Sequence, residues 1–163
     1  MKPIAIILAL AVMILGTLGL YLYLTCQVSI VSISPASVEA STQKDLFQTL
    51  LAQADAEALT GSVYLPDLSL FSSDDDVPYM FVTYHIDVRN TGFLPATSLE
   101  VEIAPRQGDV VQLLDTTERM LPAQSEGILD AVLLTQSGVS TAREVRLTYY
   151  LWGLPFTLKV ISP

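Results

Sequence analysis

The sequence predicts a mainly β fold: an antiparallel β-sandwich with one short amphipathic helix, preceded by a single N-terminal transmembrane helix. Three observations carry the prediction. Residues 4–24, IAIILALAVMILGTLGLYLYL, hold no charge and no strongly polar side chain. Residues 79–161 break into short alternating segments separated by turn signals, with no helical pattern between them, which marks antiparallel strands rather than βαβ units. One stretch, about residues 43–59, spaces its apolar residues for a helix instead.

The first element matches a bilayer. About 20 helical residues at about 1.5 Å each cross a hydrocarbon core of about 30 Å, and this run has 21. Tyr21 and Tyr23 fall at its far end, where aromatic rings favour the lipid–water boundary. Lys2 and the amino terminus supply the only positive charge before the run, and the next charged residue is Glu39. The amino terminus is therefore expected in the cytoplasm and the remainder outside, extracellular or periplasmic. A cleaved signal peptide would have an apolar core of about 7–15 residues and a small-x-small site. This run is longer, and Tyr23, Leu24 and Thr25 suit neither that site nor a lipoprotein signal at Cys26. Residues 1–26 are read as an uncleaved anchor in which Gly16 and Gly19 could pack against another membrane helix. Cys26 is the sole cysteine, so no disulfide forms within the chain. Its plain reading is the end of the helix; acylation or a bridge to another chain are the alternatives.

Residues 27–163 are expected to form one exterior domain. Val28, Ile30, Val31 and Ile33 suggest a short strand closed by Pro35. Thr42, with Asp45 three positions on, reads as a capping pair opening the helix. Leu46, Leu50, Ala54 and Ala58 form the helix's apolar row, and Gly61 ends it. Val63, Leu65, Leu68 and Leu70, on either side of Pro66, suggest an edge strand or two interrupted ones, and SSDDD at 72–76 an exposed loop. Strands then follow at 79–90, 98–104, 109–115, 127–135, 143–152 and 155–161, with Trp152-Gly153-Leu154-Pro155 as the bend of the last hairpin.

The stretch VTYHIDVRNTGFLPATSLEVEI sets a strand ending in Asn90-Thr91-Gly92 before Pro95-Ala96 and an alternating Leu99, Val101, Ile103. Together with the closing EVRLTYYLWGLPFTLKV, it resembles bacterial extracytoplasmic domains of the fibronectin-type-III and CARDB-like kind, with an immunoglobulin-like sandwich. The resemblance covers about residues 79–161 and implies a binding or spacer role without a catalytic site. The helix at 43–59 departs from the usual pattern of those domains.

The chemistry on offer is sparse. The chain carries a formal charge of −9, and without Lys2 the outer part has 7 basic against 17 acidic residues, a balance of −10. That argues against nucleic acid and anionic headgroups as partners. One histidine and one cysteine make no transition-metal set, no phosphate-binding glycine loop is present, and no cofactor is expected. In the strand YMFVTYHIDVRN, strict alternation puts Met80, Val82, Tyr84, Ile86 and Val88 on the core face, and Phe81, Thr83, His85, Asp87 and Arg89 outward. Same-face neighbours lie about 6.5–7 Å apart, so His85 reads as a surface histidine rather than a catalytic base. Asp74, Asp75 and Asp76 could offer oxygens to calcium with help from Asp67 or Asp109, but their spacing is not that of an EF-hand and a solvated loop is expected. Tyr150 and Trp152 alternate outward from the last hairpin. With Phe81 and His85 they are candidates for a partly apolar outer surface, either covered by the 43–59 helix or used to bind a partner.

The function expected from sequence is a non-catalytic, membrane-anchored exterior module that presents a sandwich to a protein or glycan. The alternative is an accessory subunit of a membrane secretion, pilus or transport complex, assembled through its transmembrane helix. A pilin-like continuation of that helix is disfavoured by QVSIVSISP.

Overall fold

The computed structural model describes residues 2–25, 27–55, 58–59, 61–64, 78–113 and 119–163, without side chains at 2, 3, 5, 22–25 and 55. Cys26, Asp67 and the acidic triplet Asp74, Asp75 and Asp76 lie outside the described residues, as does most of the segment expected to form an interrupted edge strand.

Helix α1 (Lys2–Thr25) is continuous. Its described large apolar side chains, from Ile4 to Tyr21, are between 48% and 72% exposed. The hydroxyl of Thr17 donates to the carbonyls of Met13 and Ile14 at 2.9 Å, so the helix satisfies it internally. Among the described residues the helix shares no substantial packing with any other element. No helix among the described residues is long and apolar enough to cross a membrane.

The rest of the chain is an antiparallel β-sandwich. Its strands are β1 (Val28–Glu39), β2 (Ser62–Val63), β3 (Tyr79–Asn90), β4 (Thr97–Ile103), β5 (Asp109–Leu113), β6 (Ser125–Gln136), β7 (Glu144–Leu151) and β8 (Leu154–Ile161). One sheet has the order β1-β3-β6-β5-β2 and the other β4-β7-β8. The strand registers define two ends. Val28, Asn90 and Ser125 meet at the end where the chain leaves α1. Thr97 and Tyr150 lie at this near end of the second sheet. Tyr79 with Gln136, and Glu144 with Ile161, mark the far end.

The core forms where the inner faces meet. Val82, Tyr84, Ile86 and Val88 of β3 and Leu129, Ala131 and Leu133 of β6 pack against Val145, Leu147 and Tyr149 of β7. This is the face that alternation predicts, with Met80 only half-buried at its start. A second apolar cluster sits on the opposite face of the larger sheet. There α2 (Lys44–Asp55) lays Leu50 and Ala54, flanked by Phe47 and Leu51, over Tyr79, Phe81, Val110, Val111 and Leu134. The helix covers only the far half of that face.

Local details differ from the sequence reading for physical reasons. β1 runs through Pro35 to Glu39, because an edge strand has one side free of ladder bonds where a missing N–H is harmless. A bulge between Ile30 and Ser32 leaves Val31 outside the ladder and exposed. It resets the strand's period of two, so that Ile30 and Ile33 both face inward despite odd spacing. Thr42 belongs to a 3-10 turn, Ala40–Thr42, and the helix starts one residue later than a Thr42 cap requires, with the Phe47 amide bonded to the Gln43 carbonyl. The described helix runs to Asp55, and residues 58–59 lie outside it. Gly61 instead marks a close approach: a Cβ there would sit 2.2 Å from the Gln112 carbonyl oxygen.

Two polar residues fasten the two sheets and a third ties down the near-end loops. At the far end the buried Arg143 guanidinium holds both oxygens of buried Asp109, Nε at 3.0 Å and Nη2 at 2.7 Å, and also donates to the carbonyls of Ser140 and Ala142. Along one flank the Gln112 amide accepts from the Ile103 amide at 2.8 Å and donates to the Val101 carbonyl at 2.7 Å, completing the edge of β4 from the opposite sheet. At the near end the Asn90 amide donates to the carbonyls of Leu94 and Pro122 and accepts from the Gly92 amide.

Candidate interaction surfaces

The residues singled out from sequence do not form one patch. Phe81 is 2% exposed, beneath α2, and is not available to a partner. The expected alternation fails at its position because β3 is buried on both faces from Tyr79 to Val82. His85 lies on the same outer face, four residues towards the near end and beyond the helix. Tyr150 belongs to the other sheet and Trp152 to the turn that joins its last two strands, so α2 cannot cover them together with Phe81.

The uncovered half of the large sheet is a polar ladder. His85 Nδ1 lies 2.7 Å from Asp130 Oδ1, directly across the β3–β6 pairing, so Nδ1 carries the hydrogen. Arg89 grips Glu126 through Nε at 2.7 Å and Nη2 at 2.6 Å, and Ser32 donates to Asp87. Ile128 stands exposed among them. Ser34 faces His85 across the β1–β3 pairing, giving a row of serine, histidine and aspartate over three strands. Its hydroxyl makes no hydrogen bond to the ring among the described contacts, and half of the His85 and Asp130 side-chain surface is in water. A solvated dyad on an open face can bind or repel charge, but it lacks the enclosure that strengthens electrostatics in an active site.

The outer face of β4-β7-β8 is likewise charged. Arg146 Nε donates to Glu144 at 2.8 Å, with Glu102 at 3.8 Å and Lys159 3.9 Å from Glu144. The hydrogen bond from Arg146 holds the Glu144 carboxyl below the usual carboxylate range, and the same contact raises the guanidinium. Tyr150 is half-exposed beside Pro155 on this face.

Trp152 sits elsewhere again, in the two-residue turn of the β7–β8 hairpin. Trp152 and Gly153 have φ of 53° and 76°, the positive pair of a type I′ turn. Asn or Asp usually takes the first position; a bulky aromatic there is strained. It is nonetheless 69% exposed. Sequence reasoning missed its surroundings: Phe93 in the β3–β4 loop, Met120 before β6 and Leu154 after the turn are 58%, 62% and 62% exposed at the same end. The available signal was the placement of large apolar residues inside turn segments, where polar ones are normal.

Gly16 and Gly19 of α1 have open space around them, with nothing within 4 Å of an added Cβ. Asp109, considered as a calcium ligand, is fully engaged by Arg143 and by the Arg106 amide at 2.7 Å. Among the described residues no group of three or more potential metal ligands converges. No protein-family model matches the chain, and a search of curated proteins finds no relative.

Proposed function

We propose that the chain is a single-pass membrane protein whose α1 anchors a non-catalytic binding or assembly module outside the membrane, presenting its sandwich to a protein or glycan partner. The observation that carries this reading is α1 itself. Twelve large apolar side chains stand exposed along it. Each would gain about 1.5–3 kcal/mol by leaving water, and the sandwich offers them no cover. A bilayer does, and the uncharged run 4–24 has the right length.

An immunoglobulin-like sandwich of the fibronectin-type-III or CARDB-like kind is the fold we assign to the outer part. Its support is the strand order: β1-β3-β6-β5 opposite β4-β7-β8 matches the A-B-E-D and C-F-G sheets of a constant-type immunoglobulin domain. In that scheme α2 and β2 are an insertion between the first two strands. The two polar outer surfaces, around His85–Asp130 and around Arg146–Glu144, are the surfaces offered to a partner.

A second reading, an accessory subunit assembled through α1, is favoured by the open backbone at Gly16 and Gly19, which lie one turn apart on the helix. Crosslinking in native membranes followed by gentle detergent purification tests both. A co-purifying chain lost on Asp130→Lys supports the sandwich surface, and one lost on Gly16→Leu with Gly19→Leu supports the helix. A chain extracted by alkaline carbonate would overturn the anchor.

A further inference from the structure

We propose that the near end of the sandwich rests in the lipid headgroup layer, with Trp152, Phe93, Met120 and Leu154 as its apolar contacts. This rests on the reading of α1 as a membrane anchor and deepens it, since a tethered domain could equally stand clear of the surface. Three observations point the same way.

The first is the length of the tether. α1 ends at Thr25, and the Gln27 carbonyl already accepts hydrogen bonds from the amide and hydroxyl of Thr91, both at 3.0 Å. Two residues reach at most about 7 Å. The headgroup region adds only about 5–8 Å per leaflet beyond the hydrocarbon core. Thr91, which opens the β3–β4 loop that carries Phe93, is therefore held at that layer while α1 spans the bilayer.

The second is the distribution of side chains between the two ends. Near-end turns carry the four exposed apolar residues. The described far-end turns, residues 104–108 and 137–142, expose none of comparable size, although Ile161 at the end of β8 is 71% exposed there. Although the chain has 17 acidic residues, none falls in 91–96, 119–124 or 152–154, where the single charge is Arg119. The near-end turns thus bring no acidic side chain towards the headgroups.

The third is the strained turn. A type I′ hairpin is easiest with Asn-Gly, and Trp152 occupies the left-handed first position with most of its surface in water. Neither the turn nor the core uses the indole, whose amphipathic ring suits the membrane interface.

Trp152 is the sole tryptophan and so reports on its own surroundings. The full chain is reconstituted into phosphatidylcholine vesicles, with and without acyl chains brominated near the carbonyl. We expect blue-shifted emission that loses most of its intensity with the brominated lipid. A chain carrying Phe93→Trp and Trp152→Asn should give the same result while keeping an unstrained turn. Alkaline carbonate extraction of the same vesicles reads the anchor separately. Retained chain with water-like, unquenched emission overturns this proposal and leaves the anchor standing; extracted chain overturns both. Blue-shifted emission without quenching assigns this end to a protein neighbour, a second copy included, and also overturns the proposal.

Discussion

Replacing Asp109 by alanine strands the Arg143 guanidinium inside the far end of the sandwich, with both groups fully buried in the native fold. The Asp109 carboxylate accepts three hydrogen bonds, two from Arg143 and one from the Arg106 amide. Hydrogen bonds to charged groups contribute about 1.5–3 kcal/mol each. Water entering the vacated space recovers part of that, so the expected loss is the ~3–5 kcal/mol typical of breaking a buried pair. Such a loss is a large share of the ~5–15 kcal/mol that holds a domain together. It corresponds to a fall in melting temperature of about 6–20 °C at about 2–4 °C per kcal/mol. Urea unfolding of the detergent-solubilised chain, followed by the β signal in circular dichroism, measures it. Arg143→Met and the double replacement complete a cycle with an expected coupling of about 2–3 kcal/mol, the double being milder than the two singles added. A loss for Asp109→Ala below about 1 kcal/mol, the range of a surface pair, or strictly additive singles, would refute the reasoning.

Phe81→Ala should destabilise the sandwich by about 3–5 kcal/mol by opening a cavity under α2, whereas His85→Ala should cost no more than about 1 kcal/mol for its exposed pair; the same urea titration separates them. Gln112→Ala removes the partner of the Ile103 amide and Val101 carbonyl and should cost about 1–3 kcal/mol, with hydrogen exchange accelerated first at Ile103. Burial, then the nearby Glu102 charge, pushes the Tyr64 hydroxyl from 10.0 up to about 12. Its folded pKa is raised, so its contribution to stability is intact below pH 10.0 and is lost as pH rises through about 12. Alkaline titration of tyrosinate absorbance should lose its latest component in Tyr64→Phe.

Strand β3 illustrates what was legible in the sequence. Its limits, Tyr79 and Asn90, and its inner face follow from alternation alone. Alternation misleads only at Tyr79–Val82, where four large residues run together. That unbroken run, echoed in Val110-Val111 and Leu133-Leu134, is the signature of a sheet covered on both faces. Which element supplied the cover could not be read locally, because α2 reaches it from more than twenty residues away. The bulge at Val31 was hidden in the same manner: Ile30 and Ile33 are out of phase, and only pairing with β3 reveals that both point inward. Asp109, Gln112 and Arg143 gave no pattern at all, since a polar residue's burial depends on partners brought together from distant strands. The candidate surfaces suffered most, for Phe81 and Trp152 were combined on alternation without knowing that their strands belong to different sheets.

The short passage from α1 into β1 also has a mechanical meaning. β1 is an edge strand paired along its length to β3, and its first residue, Val28, follows three positions after the end of α1. A partner that pulls on the far end of the sandwich draws β1 lengthwise past β3. The hydrogen bonds of that ladder then share the force together instead of opening one after another. A partner pulling sideways at the near end would peel the same strand from its tip. The domain therefore resists tension most strongly when it is pulled lengthwise along β1 against a held α1.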